Sequence, residues 1–333
     1  MKKFKAAIIG LGNIGFRFNL DPLRRGVWSH AAAYDACKLT SLCAAVETDC
    51  KKSREFTRRY QDRVPVFYTI RGLMKNVCPD IVSVCTPTHT HLSIVKELTF
   101  YPIKAIFCEK PIAGTLKEAE KMIDICKKKR ILLVVNHTRR WQTSYLTAKK
   151  IVESGRIGKV TLISGFYPAQ VFNIGTHLFD IIRFIISKDP SSAYGVSLNS
   201  DSQDPDISGS IIFAKGIVCT INALGRRKNI VFEVDIIGTR GRIKVTDNGL
   251  KTELAIFAKS RNYSGYQELF PVPIKVISDK DRFVEAVDDI VKVLAKKKNM
   301  VNCSGKDGLI ALRMSQALLD SAKNRFMPVK IGI

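Results

Sequence analysis

The sequence predicts an α/β chain in two parts: a doubly wound parallel sheet, then an α+β part on a large open, mostly antiparallel sheet. Three observations predict this. Short, continuously apolar runs alternate with amphipathic helical stretches up to about residue 136, the pattern of strands buried on both faces by crossover helices. A glycine turn follows the first run directly. From about residue 193 the helices give way to a series of strands separated by turn signals such as "DNG" and "TRGR". At 333 residues the chain exceeds what one core usually fills, so two domains are expected, 1–136 and 137–333.

In order, the expected strands of the first part are 4–9 "FKAAII", 39–47 "LTSLCAAVE", 80–86 "DIVSVCT", 104–108 "KAIFC" and 131–135 "ILLVV". The helical stretches between them are "HAAAYDACK", "CKKSREFTRRYQ", "HLSIVKELTF" and "TLKEAEKMIDICKKK". The start, "MKKFKAAIIGLG", reads as a buried first strand and not as a leader, because its apolar run breaks into glycines. In the second part, "WQTSYLTAKKIVESGRIG" and "THLFDIIRFIIS" are helical, and 281–298 and 306–324 are expected to be closing helices.

Composition narrows the function classes. Hydrophobic residues are 46% and charged residues 25%, as in ordinary globular proteins, and no apolar run has the length of a membrane helix. Nine scattered cysteines, with no C-x-x-C and no zinc-type spacing, read as free thiols in the cytoplasm, with no metal site. The formal charge of +24 sits in short clusters near element ends. Solvated cations at helix C-termini explain it first, attraction of an anionic ligand second. Nucleic acid comes last, since no aromatic-interleaved basic stripe appears.

Gly10-Leu11-Gly12-Asn13-Ile14-Gly15 has the spacing of a Rossmann dinucleotide fingerprint: Gly10 for the turn, Gly12 for approach of a pyrophosphate, Gly15 for packing of helix on strand. Glu47 closes the second strand, where an acid binds a ribose 2′-hydroxyl; this favours NAD, with NADP as the alternative because Lys51, Lys52 and Arg54 follow closely. Thr86 and Pro87 end the third strand, where a loop crosses the cofactor, and Thr90 is expected to cap the next helix with His91 in its first turn. Glu109-Lys110-Pro111 follows the fourth strand; Glu109 and Lys110, like His91, are expected at the cofactor, a lysine in a cleft there can exchange protons, and the proline can fix the loop through a cis bond. Asn136, Arg139 and Arg140 in "NHTRRW" are expected to face the substrate cleft, the arginines binding phosphate or carboxylate or forming a structural ion pair.

The strand-"GLGNIG", "TPTHTH", "EKP" and "NIGTHLFD" motifs, in this order, make the chain resemble the Gfo/Idh/MocA oxidoreductases over its whole length. The resemblance implies an NAD(P) domain followed by an open-faced α/β domain whose sheet builds homodimers or homotetramers. It implies oxidation or reduction of a ring hydroxyl of a sugar or nucleotide-activated sugar. It places the motif lysine on Lys110 and the motif histidine on His177. The chain departs from the pattern at Asn173, where many members carry an aspartate; an amide cannot exchange a proton, so Asn173 is expected to orient substrate. It also suggests the alternative of a non-catalytic NAD-binding regulator.

Overall fold

The structure, a computed structural model, describes residues 3–199, 202–274 and 281–332. The chain forms two compact units, Met1–Trp141 with Lys280–Leu309, and Gln142–Asp279 with Ile310–Ile333.

The first unit holds strands β1 (Phe4–Ile9), β2 (Thr40–Val46), β3 (Val66–Phe67), β4 (Ile81–Val84), β5 (Ala105–Cys108) and β6 (Leu132–Val135). Each paired neighbour is parallel, in the order β3-β2-β1-β4-β5-β6. The order reverses between β1 and β4, the switch point at which such sheets bind ligands beyond their strand ends. Ala6, Ala7, Ile8, Ile81, Val82, Ile106 and Phe107 are wholly buried, as continuous apolar strands require. The helices are α1 (His30–Ala36), α2 (Cys50–Tyr60), α3 (Ile70–Asn76), α4 (His91–Leu98) and α5 (Leu116–Lys128). Helix α5 starts at a reciprocal capping box between Thr115 and Glu118. The two-residue β3 and the short α3 are too brief for a periodic signal, and the sequence reading has neither.

The helix after the glycine turn is interrupted. Phe16 N–H donates to the Gly12 carbonyl, but the carbonyls of Ile14 and Gly15 are taken by His30 and Ala31, each at 3.0 Å. In an unbroken helix those carbonyls would serve residues four further on. Helix α1 therefore resumes the turn begun at Gly12, and the segment between is looped out of it. Asn19 ties the loop to itself at the Gly26 carbonyl and the Trp28 N–H.

The second unit holds α6 (Thr143–Glu153), β7 (Val160–Tyr167), α7 (Thr176–Ile186), β8 (Pro190–Ser197), β9 (Ile207–Phe213), β10 (Ile217–Ala223), β11 (Glu233–Gly238), β12 (Gly241–Thr246), β13 (Lys251–Lys259) and β14 (Gln267–Val272). After α8 (Arg282–Leu294) and α9 (Gly305–Lys323), β15 (Val329–Lys330) completes a nine-stranded sheet in the order β14-β13-β12-β11-β7-β10-β9-β8-β15. Among the described residues of this sheet, β7 and β10 pair in parallel and the other neighbouring strands pair antiparallel. Leu178, Phe179, Ile181, Ile182 and Ile185 of α7 are wholly buried, and a Cβ on Gly165 of β7 would lie 3.0 Å from Leu178 and Ile182, so α7 packs directly on the sheet there.

The unit boundary differs from the expected division at 136/137. Helix α8 and the start of α9 return to the first unit. Burial of Phe283, Ala286, Val287 and Ile290 accounts for this, with Trp141 Nε1 donating to the buried Asp289.

Candidate cofactor and catalytic site

The glycine turn has the geometry its spacing implies. Gly10 adopts φ +93°, and a Cβ there would meet the Cys85 carbonyl at 2.9 Å. A Cβ on Gly15 would fall 2.2 Å from the Gly10 carbonyl. A Cβ on Gly12, in contrast, would have no protein atom within 4 Å. The protein's own packing does not demand a glycine at residue 12; close approach of a ligand does, and in this respect the residues present fit a dinucleotide. Asn13 and Ile14 continue the turn, their carbonyls accepting from Phe18 and His30.

Gly10 and Gly12 line a groove of about 940 Å³ together with Glu47, Lys52, Arg71, Thr86 and Pro87. Glu47 stands at the end of β2. Its carboxylate accepts from Leu11 N–H at 2.7 Å and from the N–H groups of Thr48 and Asp49 at 2.9 Å, so it is fixed against the glycine turn. Of the basic residues after it, Lys52 reaches the groove wall and lies 3.6 Å from Asp49, whereas Arg54 Nε bonds the Cys50 carbonyl of its own helix. Arg71 on α3 joins the wall. It was not singled out in the sequence because α3 itself was not legible.

Thr86 and Pro87 form the far wall. The Thr86 and Thr90 hydroxyls bond at 2.7 Å, and Thr90 Oγ1 donates to the Pro87 carbonyl. Thr90 precedes α4 as expected but makes no side-chain cap, because its hydroxyl is committed to this loop. His91 is placed differently from the expectation of a cofactor contact: it is wholly buried. Its Nε2 lies 3.0 Å from the Thr86 carbonyl, and its Nδ1 is 3.1 Å from the Ile112 carbonyl and 3.4 Å from Cys108 Sγ. Carbonyls only accept, so each ring nitrogen faces an acceptor, Nε2 at Thr86 and Nδ1 at Ile112, with the Cys108 thiol beside Nδ1. Burial pushes that thiol well up and keeps the proton on it. His91 is a clasp between the loops after β4 and β5.

Lys110 is half-buried just beyond β5, and the Lys110–Pro111 bond is cis. Glu109 beside it points inward. It is buried, and its Oε1 accepts from His30 Nε2 at 3.0 Å and from the Asn136 amide. Its Oε2 accepts from the Lys110 N–H at 3.2 Å. Glu109, expected at the cofactor, and Asn136, expected at the substrate, instead bond each other beneath the lysine. Burial raises the Glu109 carboxyl, but the bond and charge of His30, the charge of Lys110 and the Asn136 bond outweigh it, and the net direction is downward. His30 was missed in the sequence, where it reads as the ordinary first residue of a helix.

Arg140 is buried, with one guanidinium nitrogen on the Asn302 carbonyl and the other 3.1 Å from Asp307. That geometry is the structural ion pair. Arg139 is half-buried in the same turn, Thr138–Trp141.

In the second unit, His177 lies half-buried in the first turn of α7. Asn173 belongs to a single π-helical turn, Val171–Gly175, entered through Gln170 at φ +64°. Turns of this kind recur at functional sites. Two carboxylates from the β8–β9 connection hold it: Asp204 accepts from Phe172 N–H at 2.8 Å and Asn173 N–H at 3.0 Å, and Asp206 accepts from Gln170 N–H. The Asn173 amide donates to Gln170 Oε1 at 3.0 Å. Asp180 is buried. No pattern near residue 173 points to Asp204, because the contact spans 31 residues. Among the described residues no group of three or more His, Cys, Asp or Glu could hold a metal ion, and no helix is long and apolar enough to cross a membrane.

Two family models match the chain. One, described as an oxidoreductase family with an NAD-binding Rossmann fold, covers residues 4–137; the other, its C-terminal alpha/beta domain, covers 169–331. An uncharacterized oxidoreductase of Schizosaccharomyces pombe is 28% identical over 199 residues, 54% of this chain and 51% of its own length. The chain thus spans about half the length of that relative. The myo-inositol 2-dehydrogenase of Thermotoga maritima is 23% identical over 268 residues, 74% of this chain and 78% of the relative. In fold, the chain is similar to the aldose-aldose oxidoreductase of Caulobacter crescentus complexed with glycerol: the TM-score is 0.80 at 20% identity, covering 99% of this chain and 100% of the other.

Proposed function

The chain belongs to the Gfo/Idh/MocA oxidoreductase family, and from that premise we propose that it is an NAD(P)-dependent dehydrogenase of a sugar or polyol hydroxyl. One observation carries the reading. A glycine turn open at Gly12 and an acid at the end of β2 share one groove at the switch point of the sheet, and the motif lysine stands just past β5. Bound NAD supplies the hydride acceptor. Gly10, Gly12, Asn13, Ile14 and Gly15 form the pyrophosphate turn, Glu47 takes the ribose hydroxyls, and Thr86 and Pro87 flank the cofactor. Lys110 removes the proton from the reacting hydroxyl, with His177 holding that oxygen or sharing the proton. Asn173 orients the substrate. Arg139 remains a candidate substrate contact. The ion pair that engages Arg140 removes it from that set, and Asn136 supports the lysine from beneath.

The substrate is an anionic or nucleotide-activated sugar; the formal charge of +24 supports this. NAD reduction measured against neutral sugars, cyclitols, sugar phosphates and nucleotide sugars tests it. A neutral sugar giving the highest kcat/KM, with no salt dependence, refutes the anionic substrate while leaving the dehydrogenase. Self-association through the sheet of the second unit belongs to the same reading, supported by apolar side chains in register across it: Leu162 opposite Val218, and Val218 opposite Ile212. So does a cytoplasmic location, supported by buried free thiols at Cys85, Cys108, Cys126 and Cys219.

Asn173 in place of the family aspartate favours a second reading, a non-catalytic NAD-binding regulator. NAD binding without turnover on any member of the panel would select it.

A further inference from the structure

A buried polar cluster beneath the Glu109–Lys110 bend takes no part in the reaction scheme above. Its centre is His30, wholly buried on α1. Nε2 faces the Glu109 carboxylate, which only accepts, so this nitrogen carries a proton. Nδ1 lies 2.8 Å from the Ser83 hydroxyl, which in turn lies 2.7 Å from the Tyr34 hydroxyl. The Phe107 and Phe283 rings stand 4.6 and 6.0 Å from the imidazole. The His30 main chain is fixed as well, donating to Ile14 of the glycine fingerprint. Backbone, both ring nitrogens and packing together leave the ring one position.

We propose that His30 is a positioning residue for Lys110: it ties the glycine turn to the lysine, its main chain bonded to Ile14 and its ring holding the Glu109 carboxylate on the Lys110 N–H. The groups around Glu109 are His30 from α1, the neighbouring Lys110, the thiols of Cys85 after β4 and Cys108 on β5, and the neutral Asn136 amide after β6. Lys110 is the cation among them, and the imidazole donates to the carboxylate. Without the imidazole, burial dominates and the carboxyl takes up a proton. Lys110 then loses a neighbouring anion, and its ammonium releases its proton at lower pH.

The catalytic meaning rests on the reading of Lys110 as proton carrier, but the test is independent of substrate. Lysines of the full chain are ¹³C-dimethylated and followed by NMR against pH, with the Lys110 signal assigned by its loss in Lys110→Arg. His30→Ala is expected to lower the Lys110 midpoint by about one pH unit or more. Glu109→Gln should lower it as much, and the double variant no further, because His30 acts through Glu109. His30→Gln, whose amide can still donate, should recover part of the shift. If His30→Ala does not fold, His30→Gln and Ser83→Ala carry the test, each with a smaller downward shift. An unchanged midpoint in folded His30 variants, or shifts that add in the double variant, overturns the proposal. Normal turnover in Lys110→Ala would refute the proton-carrier reading instead, without touching the NMR result.

Discussion

The glycine turn of the first unit is written in adjacent letters; the turn that carries Asn173 in the second is assembled from distant ones. Gly10, Gly12 and Gly15 build the cofactor turn within one stretch, Gly10 and Gly15 because a Cβ would clash and Gly12 because the turn is open there. The turn that carries Asn173 is held by Asp204 and Asp206, which come from another connection. The first arrangement is marked by its own motif. The second is undone by substitution at residues that no motif marks.

The largest expected effect tests the first unit. Lys110→Ala should cut kcat by roughly 10²–10⁴, the usual worth of general acid–base catalysis, with NAD affinity measured by titration nearly unchanged. Near-normal kcat would break the assignment. In the second unit, Asp204→Ala removes a carboxylate that caps the π-helical turn. A cap of this kind contributes about 0.5–2 kcal/mol, so kcat/KM should fall by up to about thirtyfold while NAD binding holds. Equal loss of NAD binding would mean that Asp204 acts on more than its own turn. NAD should bind more tightly than NADP, because Glu47 faces the groove. A tenfold preference for NADP, about 1.4 kcal/mol, would shift the weight to Lys52 and Arg71.

Acid should also weaken the buried pair of the first unit. The folded state holds the Glu109 carboxyl below its ordinary value. The stability this contributes is complete above the ordinary carboxyl range and fades as pH falls through and below it. Melting temperatures of wild type and Glu109→Gln should therefore converge on acidification; a constant gap would contradict the ionised pair. The smallest effect is at Asn173→Asp, where no gain in turnover is expected, since an added carboxylate would lie beside Asp204.

How much was legible follows the same division. Strand runs buried on both faces announce themselves by composition, and parallel pairing follows from alternation with helices, whereas the strand order is read from the structure. Glu47 follows β2, Lys110 follows β5 and His177 stands in the first turn of α7, the element ends that the sequence pattern marks. Arg71 was hidden because its helix has only seven residues, and His91 because burial cannot be read from a histidine at a helix start. His30 and Asp204 were hidden for a stronger reason: their partners lie 79 and 31 residues away, and long-range pairing leaves no periodic trace.

The helix broken after the glycine turn has a consequence for engineering. The Ile14 carbonyl accepts from His30 as it would from a residue four positions on. Removing residues 18–29 would put the histidine at that spacing, with the fingerprint and the histidine forming one compact motif. The looped segment is thus a cassette, inserted between two bonded turns without disturbing their register. Closing a loop of such length costs little more than closing a shorter one. A chain lacking the cassette should keep the His30–Glu109 bond, and a spacing-based search that permits a gap after the third glycine would find the histidine that a rigid pattern passes over.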